Sequence, residues 1–68
     1  MSDECFIDRL KMEEHKLGLS VDKYGALIES PTFDTLPDDE RLDLTSQLFH
    51  MKEYLEILTR RRIRLCDN

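Results

Sequence analysis

From Ile7 onward the apolar residues of this chain return at alternating spacings of three and four, through Leu10, Leu17, Val21, Tyr24 and Ile28, with Glu14 filling the one slot that breaks the series. A second series, alternating four and three, runs through Leu44, Leu48, Met51, Leu55, Leu58, Arg62 and Leu65. Such spacing is a heptad seam. It gathers apolar groups on one stripe of an α-helix, and a strand, whose side chains alternate with period two, cannot use it. Between the two seams lies "ESPTFDTLPDDE", where Pro31 disfavours helical geometry at Ser30. Thr35, Pro37 and the acids Asp38, Asp39 and Glu40 then form an N-terminal signal for a second helix. Ser2 followed by Asp3 and Glu4 suits the start of the first, with acids facing the positive end of the helix dipole.

The expectation is all-α: a single domain over residues 1–68, with helices over about 3–29 and 37–65 and a connection over about 30–36, folded as an antiparallel two-helix hairpin. Phe33 and Leu36 are placed to plug its closed end. A competing reading breaks the first helix at Gly18 and uses Ser20 as a new cap, because glycine costs about 1 kcal/mol inside a helix.

A chain of 68 residues buries too little surface to be secure alone, so external support is expected. Beyond the first seam, the far side of helix one carries Cys5, Met12, Leu19 and Ala26, none of them charged, and Gly18 and Gly25 stand one heptad apart where another backbone could come close. Helix two repeats the pattern with Leu42, Phe49 and Ile63 on one line and Ile57 nearby. Apolar rows outside the intramolecular seam predict partner helices, and a homo-oligomer supplies them.

The polar breaks in the seams, Glu14 and Arg62, each lie fourteen residues from an apolar seam position nearer the connection, so a hairpin can set them at similar height. They are either a partly buried ion pair that fixes register or the rim of a polar pocket. Arg60, Arg61 and Arg64 admit a plain electrostatic explanation as cations at a helix C-terminus, beside Asp3, Glu4, Asp8 and Glu13. Four arginines within five residues are also a local capacity for phosphate on a chain whose net charge is −5.

Several classes are disfavoured. An acidic balance argues against broad binding to DNA or RNA. No apolar run approaches a membrane span and the N-terminus is acidic where a secretory signal is basic, so a cytoplasmic protein is expected. Cys5 and Cys66 read as free thiols, and His15 and His50 as surface residues outside any metal-ligand spacing. Motifs of hydrolases, zinc proteases and phosphate-binding glycine loops are missing, so neither enzyme nor cofactor is expected.

The stretch "DKYGALIESPTFDTLPDDERLDLTSQLFHMKEYLEILTRRRI" resembles a group of small phage hairpin proteins. That group shows a "KLxxFI" ending to the first helix, a short "S-x-x-F-x-x-L" connection and a second helix with "Q…MxxYxxILxxRI". The counterparts are Lys23 to Ile28, Ser30 to Leu36, and Gln47, Met51, Tyr54, Ile57, Leu58 and the arginines before Ile63. Gly18 and Ser20 depart from the polar helix formers usual in the first helix. The group is similar to the hairpin domain of anti-CBASS and anti-Thoeris sponges, non-catalytic oligomers that sequester cyclic oligonucleotide messengers of bacterial immunity. The resemblance implies a phage protein acting in the host bacterial cytoplasm, binding a cyclic oligonucleotide at inter-subunit pockets. Cations for phosphate and aromatic faces for bases are what such a site needs. Chosen by that chemistry, the candidate ligand-binding residues are Arg60, Arg61, Arg62, Arg64, Lys23, Tyr24 and Tyr54, with Lys11 and Phe6 behind them; core packing is the plainer role for the two tyrosines. The alternative function is a coiled-coil adaptor whose spare apolar face docks a host or phage protein without a small ligand.

Overall fold

A computed structural model describes residues 3–66, with side chains from Phe6 onward. The expected start at Ser2 lies outside the described residues, as do the side chains of Asp3, Glu4 and Cys5. Two long helices, α1 (Asp3–Ile28) and α3 (Asp38–Cys66), pack side by side around a four-residue helix, α2 (Pro31–Asp34). No strand occurs among the described residues. The result is a rod of 48 × 18 × 14 Å, a length that two helices of 26 and 29 residues at about 1.5 Å per residue largely account for.

The two seams meet. Leu10, Leu48 and Leu58 are buried, Leu58 completely, and Ile7, Leu17, Val21, Tyr24, Ile28, Leu44, Met51 and Leu55 are half-buried along the same contact. Leu65, the last position of the second seam, is exposed at the open end of the rod. α1 passes through Gly18 without interruption, so the expectation of a third helix capped by Ser20 is not met. Both glycines have ordinary negative φ.

The connection is more structured than an extended linker. Ser30 has extended backbone (φ −87°, ψ 157°), as the following proline demands, and Pro31 opens α2. The Ser30 hydroxyl donates back to the Leu27 carbonyl at 2.7 Å, satisfying one acceptor at the end of α1. Thr35 behaves in the same way: its hydroxyl donates to the Thr32 carbonyl at 2.6 Å, closing α2, so it does not cap α3 as its position before Pro37 suggested. The start of α3 rests instead on Asp38, Asp39 and Glu40 in its first turn, with Asp38 paired to Arg41. Phe33 and Leu36 are half-buried at the closed end.

Candidate functional site

Glu14 occupies an apolar slot of the α1 seam, and the side chains facing it on α3 satisfy both its oxygens. The Arg62 guanidinium donates through Nε to Oε1, and the Thr59 hydroxyl donates to Oε2 at 2.7 Å. The Glu14 side chain is only 17% exposed. The hydrogen bonds from Arg62 and Thr59, in that order, hold its carboxyl below the usual glutamate range despite partial burial. The two polar breaks therefore meet as a register-fixing ion pair.

Beside this pair the surface opens into a groove of about 460 Å³. Gly18, Val21 and Leu55 form its floor, Glu14 and Thr59 its head, and His15, Leu19 and Asp22 its outer wall. Gly18 makes the opening, since a methyl group built there would meet nothing within 4 Å. The groove thus combines an apolar floor, two carboxylates and a hydroxyl, within the size range of small-molecule sites, about 300–1,000 Å³. A shallower depression of about 350 Å³ lies near the closed end between Phe33, Arg41, Leu42 and Thr45.

The opposite flank of the rod is closed by side chains. Tyr54 donates its phenol proton to Glu13, which, followed by partial desolvation, holds the phenol above its usual range. Arg61 lies over the Phe6 ring, 5.9 Å from its centroid, in a cation–π contact. Arg60 and Arg64 are exposed near the open end. Glu13, one of the acids expected beside the arginines, takes the tyrosine as its partner.

The candidate residues chosen from sequence are therefore spread along the chain. Arg60, Arg61, Arg62, Arg64 and Tyr54 lie toward the open half of the rod, whereas Lys23 and Tyr24 sit about 15 Å further along the axis of α1 than Glu14. Tyr24 is half-buried in the seam and Lys23 is exposed. None of the seven lines the groove, although Arg62 holds the carboxylate at its head. Gly18, Thr59 and Asp22 were not singled out as site residues. The available signal was an acid in an apolar seam slot with a glycine one turn later.

Among the described residues no group of three His, Cys, Asp or Glu side chains could hold a metal ion. None of the described helices is long and apolar enough to cross a membrane. The only thiol among the described side chains, Cys66, is free and exposed. A family model described as Sequestin matches residues 4–64. No curated protein and no solved structure matches the chain.

Proposed function

The chain belongs to the Sequestin family, a family of phage sequestering proteins rather than enzymes, and from that premise we propose that it captures a cyclic oligonucleotide signal of bacterial anti-phage defence in the host cytoplasm. The observation that supports this reading is the open groove at Gly18, which has an apolar floor, hydrogen-bonding groups at one end and a missing wall. A site of this kind holds a ligand without transforming it, provided a second subunit encloses it.

In this reading the protein is a homo-oligomer. The flat faces of the bases lie on the apolar floor of the groove, and phosphates are drawn toward the arginine-rich end, where Arg60 and Arg64 are exposed and Arg62, paired with Glu14, borders the groove, whereas Arg61 lies on the opposite flank over Phe6. Lys23, Tyr24 and Tyr54 serve a pocket only if neighbouring subunits bring the two halves of the rod together. The signal is withdrawn from its receptor by mass action, with no bond broken.

Incubation of the purified protein with a panel of cyclic di- and trinucleotides, followed by gel filtration and heat denaturation, tests this directly. Release of an intact cyclic nucleotide from the protein fraction is the expected result. A stable protein that retains none of the panel overturns it and favours the adaptor reading, for which the exposed Met12, Leu19, Leu42 and Phe49 provide a docking surface.

A further inference from the structure

Gly18 and Gly25 are helical, have no positive φ, and would clash with nothing if they carried a methyl group. Nothing within the hairpin accounts for two residues that each cost a helix about 1 kcal/mol relative to alanine. Both lie on one row of α1, a heptad apart, on the flank that also bears the groove. The row outward from them carries Asp8, His15 and Asp22, and beyond it, on the back of the helix, lie Met12 and Leu19, 54% and 58% exposed. Across the groove, Thr45, Lys52 and Thr59 share a row of α3 at heptad spacing, and the row outward from it carries Leu42, Phe49, Glu56 and Ile63, all exposed. This flank is therefore a trough along the two glycines, with an acid-bearing edge on α1 and a mainly apolar row on α3, and among the described residues neither edge has a partner within the hairpin.

We propose that this glycine-bearing flank is the contact between two copies of the chain, related by a two-fold axis parallel to the long axis of the hairpin. That operation lays the partner's α3 antiparallel across α1 at the heights the chain's own α3 already occupies. The Glu14–Thr59 hydrogen bond sets those heights. Counting from it at about 1.5 Å per residue, Gly25 and the partner's Phe49 fall within about 2 Å of one level, as do Asp22 and the partner's Lys52. An aromatic side chain thus meets the bare backbone of Gly25, and a carboxylate meets an ammonium beside it. The perpendicular two-fold axis is disfavoured because it turns the edge bearing Asp8 and Asp22 toward its own copy.

The area agrees with this assignment. The chain exposes 5330 Å², about 800 Å² more than a compact monomer of its mass is expected to show. That surplus is about what each partner contributes to a standard interface. By the same count the partner's Glu56 falls within about 2 Å of the level of Gly18, so the partner's α3 adds a polar wall to the groove there. This deepens the oligomeric part of the sponge reading and is independent of which ligand, if any, is bound; because the axis preserves heights, Lys23 and Tyr24 stay apart from the arginine-rich end in this dimer.

Sedimentation equilibrium of the ligand-free protein tests the contact. Gly25→Leu fills the seat of the partner's Phe49 without meeting anything in its own hairpin, so it is expected to weaken association on the order of tenfold or more while far-UV circular dichroism stays helical. Phe49→Ser, at an exposed position, is expected to do the same. Asp22→Lys and Lys52→Asp chains should each associate poorly alone and recover when mixed one to one, because only the mixed dimer restores both charge pairs between subunits. A wild-type mass of 8.1 kDa, an undiminished mass for Gly25→Leu, or a mixture no better than its components overturns the assignment. Cyclic nucleotide retained by a Gly25→Leu protein of undiminished mass would overturn the interface alone; loss of the contact with no nucleotide bound by wild type would overturn the sponge reading alone.

Discussion

At Glu14 a carboxylate stands where the heptad pattern calls for an aliphatic side chain, and Arg62 and Thr59 close its hydrogen-bonding needs from the other helix. The pair is asymmetric in what its loss should do. Arg62→Met leaves Glu14 largely shielded with one hydrogen bond fewer and no countercharge, and is expected to destabilise the fold by about 1–3 kcal/mol. Glu14→Leu combined with Arg62→Leu should recover most of that loss, since an apolar pair can replace an ion pair in a seam at little net cost. Thermal unfolding at one protein concentration, followed by circular dichroism, distinguishes the two; a double variant no more stable than Arg62→Met would refute the compensation. The pH dependence follows from the depressed carboxyl. Its stabilising contribution is fully present above the ordinary glutamate value of 4.5 and disappears as pH falls through the lower value of the folded state. The difference in Tm between wild type and Glu14→Gln should therefore be flat from neutral pH down to that ordinary value and shrink below it. A difference that instead vanished between pH 7 and 5 would assign the effect to another group.

The helices were legible in the sequence because alternating spacings of three and four are a direct imprint of side chains meeting along one stripe, which is why Leu10, Leu48 and Leu58 could be placed in the core before any coordinates. Leu65 shows the limit of that pattern. It satisfies the spacing but lies at the open end and stays exposed. The connection was less legible for a different reason: Ser30 and Thr35 carry the chemistry of N-caps, yet both hydroxyls turn back to carbonyls three residues earlier. Side-chain chemistry alone does not distinguish closing the preceding turn from opening the next. The candidate site was legible only in its head. Glu14 and Arg62 stood out as seam breaks, whereas the groove arises from the absence of a side chain at Gly18 between α1 and α3, and the Tyr54–Glu13 contact depends on a long side chain crossing the opposite flank. At this scale the continuity of α1 is testable by hydrogen exchange. Amides from Leu17 to Tyr24 should show protection comparable to that of Leu10 to Glu14 and open with them, because one uninterrupted ladder of hydrogen bonds spans both. A sharp minimum in protection at Leu19 to Val21 would restore the broken-helix alternative.

Taken as a whole, the hairpin buries only three hydrophobic side chains among the described residues while nine large ones remain substantially exposed. At about 1.5–3 kcal/mol for each fully buried aliphatic side chain, the core stands against a conformational entropy cost of about 1–2 kcal/mol for every ordered residue. A rod of this shape gains most from neighbours along its length. If copies of the chain supply those neighbours, unfolding is coupled to dissociation and the midpoint must depend on concentration, unlike that of a monomer. The thermal midpoint of the ligand-free protein should rise by several degrees for each tenfold increase in concentration, and the same series on Gly25→Leu should be nearly flat, with a midpoint close to that of the most dilute wild-type sample. Leu58→Ala has the complementary signature. It opens a cavity at the completely buried centre of the seam, costs about 2–5 kcal/mol, and should lower the midpoint at every concentration while leaving the slope in place. Parallel displacement for Leu58→Ala and loss of slope for Gly25→Leu would separate the contact that folds the hairpin from the contact that joins hairpins. A wild-type midpoint independent of concentration under conditions of reversible unfolding would mean that the hairpin stands alone, and the exposed rows would then belong to a different partner.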